Sequence, residues 1–164
     1  MAAIQQPITV RPVAQGDLEQ WLEYWNGYQA FYKVDLGTDI TRLTWKRFFD
    51  PTEPVHCAVA ADSERIYGFV NYVFHRSTWG RNDFCYLEDL YVCPSARGQK
   101  VGKKLIEHVQ EQAREKACDR LYWHTQESNR TAQRLYDWIA EKPGVIEYRM
   151  GPVSYTHLTL PTKR

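Results

Sequence analysis

Phe84-Cys85-Tyr86-Leu87-Glu88-Asp89-Leu90-Tyr91-Val92, then Cys93-Pro94-Ser95-Ala96, then Arg97-Gly98-Gln99-Lys100-Val101-Gly102, is the stretch that decides the fold. Its first nine residues form an apolar run of strand length with two acids inside it. Pro94 ends the strand, because it has no N–H to give to a ladder. Glycine then punctuates a turn. Beyond it Val101, Leu105, Ile106, Val109, Ala113 and Ala117 fall on one face of a helix that runs to about Cys118. A glycine-bearing turn at a helix start lets backbone N–H groups approach a ligand closely. Those first N–H groups have no partner inside the helix, and the helix dipole favours an anion there. A pyrophosphate is the natural occupant. Arg97, Lys100, Lys103 and Lys104 add positive charge around it.

Upstream, residues 8–11 alternate apolar and polar and read as a first strand. Asp17 stands as the N-cap of a helix that carries Leu18, Trp21, Leu22, Trp25, Tyr28 and Tyr32 at helical spacing. A second helix is expected over 39–49, stopped by Pro51. Two strand-like runs, 56–61 and 65–74, flank the turn Asp62-Ser63 as a hairpin. A polar loop, 77–82, leads into the quoted strand. Downstream come a short buried strand over 121–125, a helix over 129–139 with Ala132, Leu135, Tyr136 and Ile139 aligned, and a final strand over 145–150. The order β-α-α-β-β-β-α-β-α-β implies an α/β chain, with a mixed sheet and helices on both faces. One domain over 1–150 is expected. Residues 151–164 have no periodic partner and read as a non-native or disordered tail.

Composition narrows the function. Twenty-one Lys and Arg against 20 Asp and Glu give a net charge of +1, without the basic excess that nucleic-acid binding calls for. The four cysteines, Cys57, Cys85, Cys93 and Cys118, show no C-x-x-C pair and no zinc-ligand spacing, so reduced, partly buried thiols and no metal are expected. A soluble, cytoplasmic protein follows from the absence of a signal segment or a long apolar run.

Two further features carry chemistry. Adjacent strand residues face opposite sides, so one of Glu88 and Asp89 is expected to point inward or into a cleft. A carboxylate held there suits an amine substrate or a general base. Asn129 opens a helix and Tyr136 lies two turns later on the same face. A tyrosine with an ordinary pKa of about 10 is able to protonate a leaving thiolate whose pKa is about 8.5. The aromatic stripe Trp21, Trp25, Tyr28, Tyr32 and Trp45 reads either as core or as the wall of an amine pocket.

In this order and spacing the three signals resemble the GNAT superfamily of N-acetyltransferases over roughly residues 8–150. The family signature, Arg/Gln-x-x-Gly-x-Gly/Ala opening the helix after the fourth strand, is met at its ends by Arg97 and Gly102. The resemblance implies a mixed sheet of six to seven strands. It implies an acetyl-CoA co-substrate whose pyrophosphate sits on Gly98, Gln99, Lys100, Val101, Gly102 and Lys103. The pantetheine arm would lie along the backbone of Leu90, Tyr91 and Val92, and Asn129 and Ala132 would also contact the co-substrate. Tyr136 becomes the general acid and Glu88 the base or amine-binding acid, with Asp89 and Tyr28 lining the substrate site. The run 86–92 resembles the diamine and polyamine acetyltransferases, and the whole chain the yeast histone-and-polyamine acetyltransferase subgroup. The sequence departs from the signature at its first glycine, where Lys100 stands, and a side chain there crowds the phosphates or takes an unfavourable φ. The implied reaction is direct attack of a small primary amine, such as a polyamine or diamine, on the thioester. No metal, nucleic acid or membrane is expected to take part, and a homodimer is expected. The competing readings are a protein or histone-tail lysine acetyltransferase and a non-catalytic acyl-CoA-binding domain.

Overall fold

The computed structural model describes residues 6–153, which divide into two units between Gln126 and Glu127. In the first unit, strands β1 (Thr9–Pro12), β2 (Val55–Ala61), β3 (Ile66–His75), β4 (Phe84–Val92) and β5 (Arg120–Trp123) form one sheet in the order β1-β2-β3-β4-β5. The first four are antiparallel neighbours, and β5 joins β4 in parallel. Parallel pairing needs a crossover, and helix α3 (Val101–Glu115) supplies it.

Each face of the sheet has its own apolar layer. Helices α1 (Leu18–Phe31) and α2 (Gly37–Phe48) bring Trp21, fully buried, against Trp25, Trp45, Phe48 and Phe69 of β3. Trp21 and Trp25 stack with centroids 5.4 Å apart. Of the two readings of the aromatic stripe, core is therefore correct for these two tryptophans. On the other face α3 buries Val101, Leu105, Ile106, Val109 and Ala113, the stripe its spacing predicts. The helix stops short of Cys118 because Ala117 turns left-handed at φ 53°.

Gly68 of β3 lets the layers close. A Cβ there would collide with the Tyr91 carbonyl of β4 and crowd Leu105 of α3. Gly27 of α1 does the same for the Tyr91 ring, whose phenol oxygen would lie 2.8 Å from an added Cβ. Asp17 flanks α1 at the N-cap position, but its side chain makes no cap hydrogen bond to that helix. The carboxylate instead accepts from the Ala14 amide at 2.8 Å and pairs with Arg11 at 2.7 Å. A 3₁₀ turn over Gln15–Asp17 brings those donors within reach first.

In the second unit, α4 (Arg130–Ile139) is capped by Asn129, whose side chain accepts from the Ala132 amide. The strand expected over 145–150 does not form, and those residues are exposed and irregular. V-I-E-Y-R-M has strand propensity, but a strand exists only against a neighbour. The sheet accordingly has five strands among the described residues, fewer than the six to seven expected, within the same mixed α/β class. Of the expected tail, residues 154–164 lie outside the described ones.

Candidate active site

The centre of the site is a β-bulge. Asn71 pairs with Asp89 and Tyr72 with Leu87, so β4 spends one extra residue, Glu88, against β3. Strict alternation lapses there. Asn71 and Tyr72 face opposite sides of β3, so their partners Asp89 and Leu87 do as well, and the strict alternation behind the opposite facing of Glu88 and Asp89 is corrected; the acid turned inward is Asp89, held against buried Asn71. Glu88 is exposed, and among the described residues its carboxylate has no hydrogen bond or ion pair. Desolvation by nearby apolar groups, with the adjacent Asp89, raises its pKa above the usual carboxylate value. Asp89 is held differently. It accepts from Asn71 Nδ2 at 3.0 Å, and the phenol of Tyr28 lies beside it. Burial raises its pKa, and those two neighbours oppose the rise.

The bulge also marks where β4 becomes an edge. β5 pairs with Phe84 through Leu87 and no farther. Among the described residues no other ladder joins β4 on that side. The Cys93 amide donates to the Tyr67 carbonyl of β3 at 2.8 Å. The polar groups of Leu90 and Val92 must therefore point the other way, out of the open edge. Arg97 uses one of them, its Nε donating to the Val92 carbonyl at 3.2 Å.

The edge leads into the glycine loop. Gly98 sits at φ 78° with open space around it, and exposed Lys100 caps α3 at φ 63°, ψ 19°. The unfavourable φ expected at Lys100 is present. The amides of Val101, Gly102 and Lys103 begin the helix, which first closes when the Lys104 amide donates to the Lys100 carbonyl at 3.1 Å. Two of the four expected cations are engaged elsewhere. Lys103 pairs with Glu107 at 2.6 Å, and Lys104 donates to the Ile8 carbonyl. Loop shape, the helix-start amides of Val101 and Gly102 and net positive charge fit a pyrophosphate.

Tyr28 stacks on Trp25 with centroids 5.7 Å apart, and burial together with Asp89 and Glu88 raises its pKa far above the usual phenol value. In the second unit Asn129, Ala132 and Tyr136 share α4, where Asn129 Oδ1 meets the Ala132 amide. Among the described residues no three His, Cys, Asp or Glu side chains are grouped to hold a metal, and no helix is long and apolar enough to cross a membrane.

Sequence reasoning missed Asn71 and the bulge, and both left traces. Asn71 is the single polar residue inside G-F-V-N-Y-V-F. The apolar phase of β4 slips by one, from Cys85 and Leu87 to Leu90 and Val92, with the two acids at the slip.

A sequence profile of the Acetyltransferase (GNAT) family matches residues 18–138. The chain is 35% identical over 148 residues to the D-amino-acid N-acetyltransferase HPA3 of Saccharomyces cerevisiae, covering 89% of this chain and 92% of that one. It is 41% identical over 139 residues to the thialysine N-epsilon-acetyltransferase of Bos taurus, covering 79% and 81%. The fold matches the aminoglycoside N-acetyltransferase AAC(6')-Iy, solved in complex with CoA, at a TM-score of 0.74 and 20% identity, over 92% of this chain and 99% of that one. The profile covers the bulged strand, the loop and α3 without a break, and on that ground the chain belongs to the acetyltransferase (GNAT) family, as an acetyl-CoA-dependent N-acetyltransferase.

Proposed function

We propose that this enzyme acetylates a small primary amine, of the diamine, polyamine or amino-acid kind, with Glu88 as base and Tyr136 as acid. The observation that carries the reading is the bulge: it sets an exposed, otherwise unpaired carboxylate where β4 opens into an edge running to the anion-binding loop. The relatives named for D-amino-acid and thialysine acetylation support a compact amine as acceptor.

Acetyl-CoA, when bound, supplies the acetyl thioester. The amides of Val101 and Gly102 hold its phosphates, with Gly98, Gln99, Lys100 and Lys103 shaping the loop and Arg97 adding charge. Leu90 and Val92 offer an N–H and a C=O each along the open edge, with Tyr91 between them locked under Gly27. Asn129 and Ala132 form a second contact region on α4. A lysine-like amine has a pKa of about 10.4 and arrives protonated. Glu88 takes that proton, through water, and the neutral nitrogen attacks the acetyl carbon. A backbone N–H of the open edge stabilises charge on the carbonyl oxygen. The carbon–sulfur bond breaks, and Tyr136 gives its proton to the departing thiolate. Asp89 and Tyr28 border the amine side.

The test is an acetyl-CoA assay across diamines, polyamines, D- and L-amino acids and a histone-tail peptide, read by free thiol. Turnover on small amines and none on the peptide is expected. Turnover on the peptide alone would replace this reading with the protein acetyltransferase. No turnover together with no rise in melting temperature on adding acetyl-CoA would refute it. Tyr136→Phe removes only a hydroxyl, so kcat should fall by about 10²- to 10⁴-fold while acetyl-CoA affinity holds. A homodimer belongs to the same proposal. Exposed Phe31, Ile40 and Leu43 on α1 and α2 support it, and sedimentation measures it.

A further inference from the structure

Asp89 has the wrong surroundings for a group that meets substrate. Its carboxylate accepts from Asn71 of β3 at 3.0 Å, with the phenol of Tyr28 of α1 beside it. Asn71 is only 2% exposed, so its partner is met inside the protein. Its amide nitrogen faces the carboxylate, while its Oδ1 has no hydrogen-bond donor. An amide oxygen buried without a donor is destabilising. A merely solvating role for Asn71 would not sustain that cost.

The place of this contact explains it. Asn71 and Asp89 are the last regular pair before the register shift, and Glu88 is the residue squeezed out beside them. A bulge in an antiparallel pair has neighbouring alternatives, because moving the extra residue by one position preserves most ladder bonds. Each move reverses the facing of a β4 side chain. With the extra residue at 88, Leu87 pairs with buried Tyr72, and Val92 pairs with Gly68 against α3. The bond from Asn71 to the side chain at position 89 selects this arrangement over its neighbours.

We propose that Asn71, Asp89 and Tyr28 act together as a register pin that fixes the bulge at Glu88, so that Asp89 is a positioning residue rather than a second base or a reader of the amine. This rests on the assignment of Glu88 as base. The pin works by shape and hydrogen bonding, and the negative charge of Asp89 is dispensable to it. An amide at position 89 would still accept from Asn71 and from Tyr28, and its NH₂ would have the donorless Asn71 Oδ1 to meet.

The experiment compares kcat, acetyl-CoA affinity by calorimetry, and melting temperature in five variants. Asn71→Leu and Asp89→Leu break the pin and should lower kcat by about 10²-fold, the scale of a misplacement near 1 Å. Acetyl-CoA affinity should hold, because the glycine loop is untouched. Asp89→Asn should recover most of that loss. Equal, severe losses in Asp89→Asn and Asp89→Leu, in proteins that still bind acetyl-CoA, would overturn the proposal and make the charge of Asp89 catalytic. Should the leucine variants fail to melt cooperatively, Tyr28→Phe decides. It removes the hydroxyl beside Asp89 and keeps the ring, so a fall in kcat of about 10-fold is expected, and wild-type turnover sinks the pin. Glu88→Gln, measured in parallel, reports on the base assignment alone. Wild-type turnover in that variant with a large loss in Asn71→Leu would remove the base and leave the register requirement standing.

Discussion

Strand β4 is two structures in one. From Phe84 to Leu87 it is an interior strand, paired with β3 on one side and β5 on the other. Phe84, Cys85 and Leu87 there are all buried. From Glu88 onward it keeps β3 and loses β5, and its residues become half-buried or exposed. The first half is determined by packing and the second by what the chain must leave open. One extra residue separates scaffold from working edge.

The sharpest way to break the comparison is to change one residue on each side of the boundary. Glu88→Gln should lower the rate by about 10²- to 10⁴-fold while leaving melting nearly unchanged. Its pH dependence has a definite sign. A base works only when deprotonated, and burial together with Asp89 raises the Glu88 pKa. The acid limb of kcat/KM should therefore lie above the usual carboxylate range and vanish in Glu88→Gln. Raising the pH should partly rescue the variant, as more amine arrives neutral. Leu87→Ala should do the reverse, removing about 2–5 kcal/mol of stability, measured by denaturant unfolding. The surviving folded fraction should turn over normally. Equal effects of both changes on rate and stability would erase the boundary.

Smaller effects sharpen the picture at the loop. Gly98→Ala places a side chain at φ 78°, where space is open and only backbone strain resists. It should cost about 1–2 kcal/mol of stability and weaken acetyl-CoA binding measurably by calorimetry. Lys100→Gly goes the other way. Its left-handed strain of about 1–2 kcal/mol is relieved, against about 0.4–1 kcal/mol lost to a freer unfolded chain, so a net gain of up to about 1.6 kcal/mol is expected. A lower melting temperature in Lys100→Gly would show that its side chain contributes more than its backbone costs.

The scaffold half of β4 was legible in the sequence and the working half only in part. Strand, turn and helix could be read from Leu87, Pro94, Gly98 and the α3 stripe, because each follows a local rule. The stripe of α1 could be read as helical, but only burial separates Trp21, sealed in the core, from Tyr28, which reaches Asp89. The mutual facing of Glu88 and Asp89 was misread because alternation assumes an uninterrupted ladder, and the extra residue is a property of the β3–β4 pair. Asn71 stayed hidden for the same reason, since its meaning lies in a partner 18 positions away. The strand expected over 145–150 failed for the converse reason: its residues favour extended backbone, but nothing in them supplies a neighbour.

The open edge has a consequence for behaviour in solution. A row of outward backbone groups is a template on which a second, foreign strand adds, and it invites clumping of crowded chains. Bulges and charged residues set into the row are the usual protection, since both spoil a continuous new ladder. In β4 a single position supplies both. Replacing Glu88 with an apolar residue should therefore speed aggregation, measured by light scattering, because the strand is rich in aromatic and branched side chains.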